Sequence, residues 1–531
     1  MKSYFVKILL IFLYYSSFLS QAHNKSNEVI TNIFRTECYN SNSAQIKKNT
    51  LDNMDLYVQL QRNHATLCGI KIKNIMPQIN SFYQFFYEVG NRLNDNNILL
   101  GNVKRKGKHI IKVGECPEGF VRVSSWYSLY KITVQNLEET KLVNQLENVL
   151  QVDVWAHPLP NRPGQVLVPE NTKQYFENEL FAAGIQFEIV VKNIKDVLEI
   201  EENLLSAAKK FQTKSKASPS FDTILEYQEV EIYLREVAAN HPNLVTLASA
   251  GKSIEDRDLW YLKISTTNFQ NTSKPVVYMQ SLLHAREWIT LPVTLYAINS
   301  LVTDVSVQEE LQDIDWIIMP VANPDGYVHT HEESRFWRKN RAKNDGLCDG
   351  VDLNRNFDIN WGQDSSSITC MDNYHGKHAF SEPETLAIRR VLLEHLDRLE
   401  LFLDIHSFGS MILYGYGDGT LPPNGLVLNL VAVKMAETID AIKMSYNPNY
   451  IVGNVALILY AASGSAMDFA KSVRVPLSYT YELPGYRFAS NTALGFLVDP
   501  SFIEQAGLET WEGIKVGARH VRDQFSKRNN V

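Results

Sequence analysis

Pro275-Val276-Val277-Tyr278-Met279-Gln280 runs directly into Ser281-Leu282-Leu283-His284-Ala285-Arg286-Glu287-Trp288. The first six residues have the composition of a buried strand. The next eight place a histidine and a carboxylate three residues apart, within reach of one metal ion. A catalytic zinc takes three protein ligands and keeps one position open, and His₂Glu is one of the sets that supplies them. His284 and Glu287 therefore need a second histidine from elsewhere. Spacing alone is not specific, because His329 and Glu332 repeat it inside a polar stretch read as a loop. Working outward, Leu259 to Ile264, Trp316 to Pro320, Leu401 to Ile405 and Leu477 to Tyr481 are further strand candidates between longer helical patterns. That alternation predicts an α/β fold with a mixed, largely parallel sheet flanked by helices. His284, His406 and Glu482 each come just after one of these strands. Ligands in open α/β sheets sit outside the carboxyl ends of strands, so the three are expected to converge. His406 is the best third ligand, and Glu482 is a carboxylate at the end of an otherwise apolar strand.

The chain has 531 residues, more than one ordinary core, since domains run to about 150 residues. Its 45% apolar and 21% charged residues describe folded, water-soluble domains rather than disorder. The net charge of −7 is spread along the chain, so no basic stripe argues for nucleic acid. Lys2 and Lys7 precede the apolar run Ile8 to Tyr15, and Ser20-Gln21-Ala22 offers small residues for cleavage. Residues 1–22 are read as a secretory signal peptide, and the expected location is secreted and extracellular. That run is too short to span a bilayer, which takes about 20 helical residues, so no membrane association is expected. The five cysteines are Cys38, Cys68, Cys116, Cys348 and Cys370, an odd number in a compartment that permits disulfides. Asn24-Lys25-Ser26 and Asn271-Thr272-Ser273 are glycosylation acceptor patterns.

Residues 23–118 form an N-terminal extension of unknown role, with a basic run Lys104 to Lys108 best read as a solvated loop. From residue 119 the texture becomes regular. Ser128 to Val134, Gln151 to Ala156, Val166 to Val168 and Gln186 to Val191 are strand-like, while Glu139 to Leu146 and Thr172 to Ala183 are helical. Gly184 sits where the second helix should end. The result is a β-α-β-β-α-β order, a small α+β unit over 119–200 that can fold alone. A connecting helix and exposed linker follow over 201–219. Their segment Gln212-Thr213-Lys214-Ser215-Lys216-Ala217-Ser218-Pro219 would suit a trypsin-like protease. Residues 220–531 make up the α/β domain.

Seven motifs in order bring a family into view: His284-Ala285-Arg286-Glu287-Trp288, Asn323-Pro324-Asp325-Gly326-Tyr327, Phe336-Trp337-Arg338-Lys339, Gly350-Val351-Asp352-Leu353-Asn354-Arg355-Asn356, Ile405-His406-Ser407, Leu459-Tyr460-Ala461-Ala462-Ser463-Gly464 and Thr480-Tyr481-Glu482-Leu483. Together they resemble the zinc carboxypeptidases of the pancreatic A and B type, over about residues 120 to 520. The resemblance implies that the α+β unit is a propeptide that shields the active site until a protease removes it. It implies one zinc ion, held by His284, Glu287 and His406, with Glu482 as general base. Arg338 would stabilise the oxyanion, while Asn354 and Arg355 would grip the terminal carboxylate of a peptide or protein substrate. Tyr460 would close over the bound chain end, and Arg286 would be a secondary contact. It also implies a disulfide between Cys348 and Cys370, worth about 3 kcal/mol on the loop-entropy view.

Family specificity depends on the pocket floor, which falls on Met467. With Val455, Leu459, Ala462, Thr480 and Leu413 at the matched pocket positions, no charge awaits a basic side chain. The expectation is A-type, for apolar or aromatic C-terminal residues, because an unpaired cation is costly to bury. A register shift of one residue would instead present Asp468 and suggest B-type preference. Pro484 to Asn491 departs from the family pattern and lengthens the loop after Glu482. The rival function is a secreted binding protein that recognises peptide C-termini without cutting them. Such a binder has no need of Glu482 and Arg338, and both are present.

Overall fold

The computed structural model describes residues 126–212, 223–345, 348–485 and 494–529. The expected signal peptide, the extension to 118, most of the linker and the loop 486–491 lie outside the described residues.

The first described unit has the expected order: β1 (Tyr127–Thr133), α1 (Leu137–Leu150), β2 (Asp153–Ala156), β3 (Gly164–Pro169), α2 (Glu170–Ala182) and β4 (Gln186–Val191). Its sheet is antiparallel throughout, in the order β2-β3-β1-β4. The start of α1 is local chemistry. The Asn136 side chain accepts from the Glu138 and Glu139 amides at 3.0 Å, and Glu139 returns by accepting from the Gln135 amide at 2.8 Å. The end of α2 is set by Gly184, at φ +71°, with the Ile185 amide reaching Leu180 O at 2.9 Å and the Gly184 amide reaching Phe181 O at 3.1 Å. A Cβ at Gly184 would meet nothing within 4 Å, so backbone conformation rather than space demands glycine there. Strand alternation gives the sheet two apolar faces. Tyr130, Ile132, Val166 and Val168 pack with Val143, Leu146, Phe176 and Leu180 under the helices. Leu129, Trp155 and Leu167 face the other way, against Leu494, Phe496 and Leu497 of the larger domain.

The chain continues through α3 (Ile194–Gln212), α4 (Tyr227–Asn240), β5 (Val245–Lys252), β6 (Asp258–Ile264), β7 (Val276–Ser281), α5 (Thr290–Thr303), α6 (Val305–Leu311), β8 (Asp315–Met319), α7 (Pro324–Glu332), α8 (Pro383–Glu394), β9 (Leu399–Ser407), β10 (Met411–Tyr414), α9 (Gly425–Ile442), β11 (Ile451–Asn454), α10 (Val455–Ile458), α11 (Ala466–Ser472), β12 (Leu477–Leu483) and α12 (Pro500–Asn529). Eight strands form one mixed sheet, ordered β11-β10-β12-β9-β7-β8-β6-β5. The pairs β10–β11, β12–β9, β9–β7 and β7–β8 are parallel, and the other three are antiparallel. The expected mixed, largely parallel sheet is therefore present, with a core on each face. Val277 and Met279 point to one core and Val276 and Tyr278 to the other, the period-2 signature of a central strand buried on both sides.

Three sequence expectations need correction. His406 and Glu482 lie within the last rungs of β9 and β12, not beyond them. Each strand runs on because it gains a partner: Glu482 pairs with His406 on one side and with Met411 of β10 on the other. Strand β10, too short to stand out as an apolar run, is what extends the ladder. His329 and Glu332 end helix α7 rather than occupying a loop. Asn323 accepts from the Gly326 amide at 3.0 Å and Pro324 opens the first turn, so a cap and a proline make a helix of a polar stretch.

Candidate active site

The topology concentrates the candidate residues before their chemistry is considered. Strands β7, β9 and β12 are adjacent and parallel, and the sequence order reverses across them, which opens a crevice at their carboxyl ends. His284 leaves β7 three residues after Ser281, while His406 and Glu482 share one rung. In this crevice His284 Nδ1 lies 2.8 Å from Glu287 Oε1, and His406 Nδ1 lies 2.9 Å from Glu287 Oε2. The two Nδ1 atoms are 3.0 Å apart. Ring nitrogens sharing one tetrahedral ion at ~2.0–2.1 Å would stand roughly 3.3 Å apart. The donor set, all three residues buried and their ligand atoms within 4.8 Å of one another, fits a metal ion. Among the described residues no other cluster of this kind forms. Burial opposes the Glu287 charge, but His284 and His406 outweigh it and hold the carboxyl well below the usual range.

The far side of each imidazole is also engaged. His284 Nε2 lies 3.1 Å from Asp352 Oδ1, and Arg338 donates to Asp352 Oδ2 from Nε at 3.1 Å and Nη2 at 2.9 Å. Asp352 also accepts from the Asn354 amide at 2.9 Å, so it joins the metal ligand to the segment carrying Asn354 and Arg355. His406 Nε2 lies 2.8 Å from Asp404 Oδ2. Neither aspartate was assigned a role from the sequence, although Asp352 sits inside a quoted motif and Asp404 immediately precedes one. The available signal was a lone aspartate among apolar neighbours, two residues from a functional side chain.

Asn354 Oδ1 accepts from the Ala466 amide at 2.8 Å. Arg355 donates to Asn354 O at 2.7 Å and to the Tyr460 hydroxyl at 3.3 Å. Its Nε is buried without a hydrogen-bond partner among the described residues, so the guanidinium has donor capacity left for an anion. The loop after Tyr460 is pressed onto this segment, since a Cβ at Gly464 would stand 2.4 Å from Arg355 O. Met467 is buried at the start of α11, its carbonyl fixed by the Ser478 hydroxyl at 2.8 Å. Asp468 accepts from the Gly417 amide at 2.8 Å and is pushed up to about 7 by burial. Glu482 is raised to about 8, first by enclosure in the crevice and then by the Glu287 charge. Cys348 and Cys370 form the expected disulfide beside this site.

The smaller unit occupies the mouth of the crevice. Both Asp153 carboxylate oxygens accept from Arg286 Nη1 at 2.9 Å, and Asp153 is steadied by Trp155 Nε1 at 2.9 Å. The Trp155 ring packs 4.7 Å from Phe336 and 5.3 Å from Phe496. His157 lies 4.4 Å from the Tyr460 ring, and Arg162 donates to Ile458 O at 2.5 Å. Arg162 also feels the Glu482 charge. None of Asp153, His157 or Arg162 was singled out from sequence, because nothing local says what a propeptide strand or hairpin will face.

Fold, donor set and plugged crevice together describe a metallopeptidase held in a covered state. Residues 230–513 match the zinc carboxypeptidase family and residues 130–201 its carboxypeptidase activation peptide, so the chain belongs to the zinc carboxypeptidases and carries their activation segment. It is 41% identical over 411 residues to carboxypeptidase B of Helicoverpa zea, covering 76% of this chain and 95% of that one. Bovine carboxypeptidase A1 is 32% identical over 407 residues, covering 74% and 94%. The crystal structure of a carboxypeptidase A from Helicoverpa armigera matches with a TM-score of 0.72 at 55% identity, covering 76% of this chain and 98% of that one. The protein is a metallocarboxypeptidase zymogen, acting on peptide C-termini after proteolytic activation.

Proposed function

We propose that this zymogen, once its propeptide is removed, releases apolar and aromatic residues from peptide C-termini. One zinc ion would be held by His284, Glu287 and His406, supplying a Lewis acid that polarises water and carbonyl when bound. Glu482, on the same rung as His406, takes the proton of the attacking water and passes it to the leaving amine. Arg338, oriented by Asp352, donates to the oxyanion as the carbonyl becomes tetrahedral. Asn354 and Arg355 bind the terminal carboxylate, Tyr460 closes over it, and Arg286 contacts the chain further from the scissile bond. The observation that carries this assignment is the convergence of two histidines and Glu287 beside a buried Arg355 with a donor to spare.

The side-chain preference rests on Met467. The relatives are named for both A and B types, so their names favour neither. Met467 brings no charge to the pocket, and Asp468 is already engaged by the Gly417 amide. Secretion through a signal over 1–22, with activation by a trypsin-like protease within 201–219, accounts for the leader and the lysine-rich linker. No helix among the described residues is long and apolar enough to cross a membrane.

The test is to treat the purified zymogen with trypsin and offer peptides ending in Phe, Leu, Lys or Arg, with and without a zinc chelator. Release of Phe and Leu, abolished by the chelator, is the expected result. Failure to release any residue would overturn the enzymatic reading. Preferential release of Lys or Arg would overturn the Met467 argument alone.

A further inference from the structure

The acceptor pattern Asn271-Thr272-Ser273 falls between β6 and β7, and the fold fixes which way it faces. Arg398, buried just before β9, donates through Nη1 to Asn271 O at 3.1 Å and to Lys274 O at 3.0 Å. The buried Asp315 carboxylate holds the same nitrogen at 2.8 Å. The Lys274 amide closes the turn onto Asn271 O at 3.3 Å. The backbone carbonyls of the turn are thus taken up from inside, and residues 270–273 are left exposed as an unbroken run. A buried guanidinium that lost these acceptors would be costly, so the turn is held with its side chains outward.

Asparagine is a common turn former, and Asn271 Oδ1 does accept from the Ser273 amide at 3.0 Å. Two features exceed that role. The Ser273 hydroxyl donates to the same oxygen, and Asn271 Nδ2, the atom to which a sugar attaches, has no hydrogen-bond partner among the described residues. The turn is also remote from the crevice. It adjoins the amino ends of the parallel strands β7, β8 and β9, where Asp315 and Arg398 stand, while His284 and His406 belong to the carboxyl ends. Strand β7 alone, at ~3.3 Å per residue, puts roughly 20 Å between the two.

We propose that Asn271 is a modification site that carries one N-linked oligosaccharide on the face opposite the crevice. The inference rests on the secretion proposed above, because this acceptor pattern is used in secreted proteins. In the transfer a bond forms between Nδ2 and C1 of the oligosaccharide, and the bond from C1 to a lipid diphosphate donor breaks. The lipid diphosphate departs, and Nδ2 gives up one proton. The fold has room for the product, since a bulky, solubilising sugar on this turn meets neither the substrate nor the propeptide.

The test expresses the full chain in a eukaryotic cell and collects the zymogen from the medium. Treatment with peptide N-glycosidase in heavy-oxygen water turns a glycosylated asparagine into a labelled aspartate, and peptide mass spectrometry reads position 271. Label at 271 in most chains, absent without the enzyme, is the expected result. Ser273→Ala should lose it and Ser273→Thr should keep it, a pair of outcomes that a purely turn-forming role does not produce. Asn271→Gln should lose the same sugar and, once activated, keep the wild-type kcat/KM. Secreted wild type without label at 271, or label that survives Ser273→Ala, would overturn the proposal. A lower kcat/KM in Asn271→Gln would overturn the placement away from the crevice. A wild type retained in the cell without any sugar would instead overturn the secretion reading on which the proposal rests.

Discussion

Glu482 is the proposed base and Met467 the proposed pocket floor, and a single substitution at each tests the two roles separately. Replacing Glu482 with Gln keeps shape and hydrogen bonding but removes the proton acceptor. In the activated enzyme kcat should fall about 10²- to 10⁴-fold with little change in KM, as measured by steady-state kinetics on a peptide ending in Phe. Unchanged kcat would mean that another group is the base. Met467→Asp places a carboxylate where the pocket has none, and the ratio of kcat/KM for Arg-ending over Phe-ending peptides should rise on the order of 10²-fold. A ratio that does not move would place the pocket floor elsewhere. The sequence offers Glu482 from its strand-end motif and Met467 only through the family resemblance. Asp352 was not assigned, because its worth lies in bridging His284, Arg338 and the Asn354 amide, groups from three separate segments.

At the scale of elements, the contact of α1 and β2 with the crevice is charged and responds to pH. Glu147 of α1 is raised to about 8 by burial and by the neighbouring charges of Asp372 and Asp153, which Arg338 and Arg286 only partly offset. In a released propeptide the same carboxyl returns to about 4.3. The docked state therefore holds the extra proton, and docking weakens as pH rises from about 4.3 toward 8, then levels off. After the linker is cut, the dissociation constant of the propeptide should increase across that window, measured by inhibition of the mature enzyme. Glu147→Gln should flatten the profile. Helix α7 shows the opposite kind of legibility. Asn323 and Pro324 are a readable start signal, yet the polar composition after them suggested a loop, and burial of Tyr327 and Thr330 supplies what composition concealed.

Across the whole molecule, cutting the linker and uncovering the site are separate events. Helix α3 is tied to the larger domain by Glu201, whose carboxylate meets Arg335 Nε at 2.9 Å and Nη2 at 3.0 Å, both side chains buried. The Val498 amide donates to the same carboxylate at 2.7 Å, and the Arg335 guanidinium lies 3.6 Å from the Trp288 ring centroid. Cleavage beyond residue 212 leaves these contacts intact, so activity should lag behind chain cleavage in a trypsin time course followed by gel and by assay. Glu201→Ala should shorten the lag, since it strands a buried arginine and weakens docking on the order of 10²-fold. If the lag is unchanged, α3 is not the tether.

The sequence by itself determined the α/β class, the order of both units, the three metal-ligand candidates and the candidate base. Each of these is written in local signals: strand runs, a His-x-x-Glu spacing, caps and ordered motifs. Only the tertiary structure decided that Asp153, His157 and Arg162 fill the crevice, that Asp352 shares its charge with Arg338, and that Asp404 lies behind His406 with Gln280 donating to it. These depend on which side chains distant segments bring within about 3 Å of one another, and on burial that makes an unpaired charge expensive. Neither can be read along the chain.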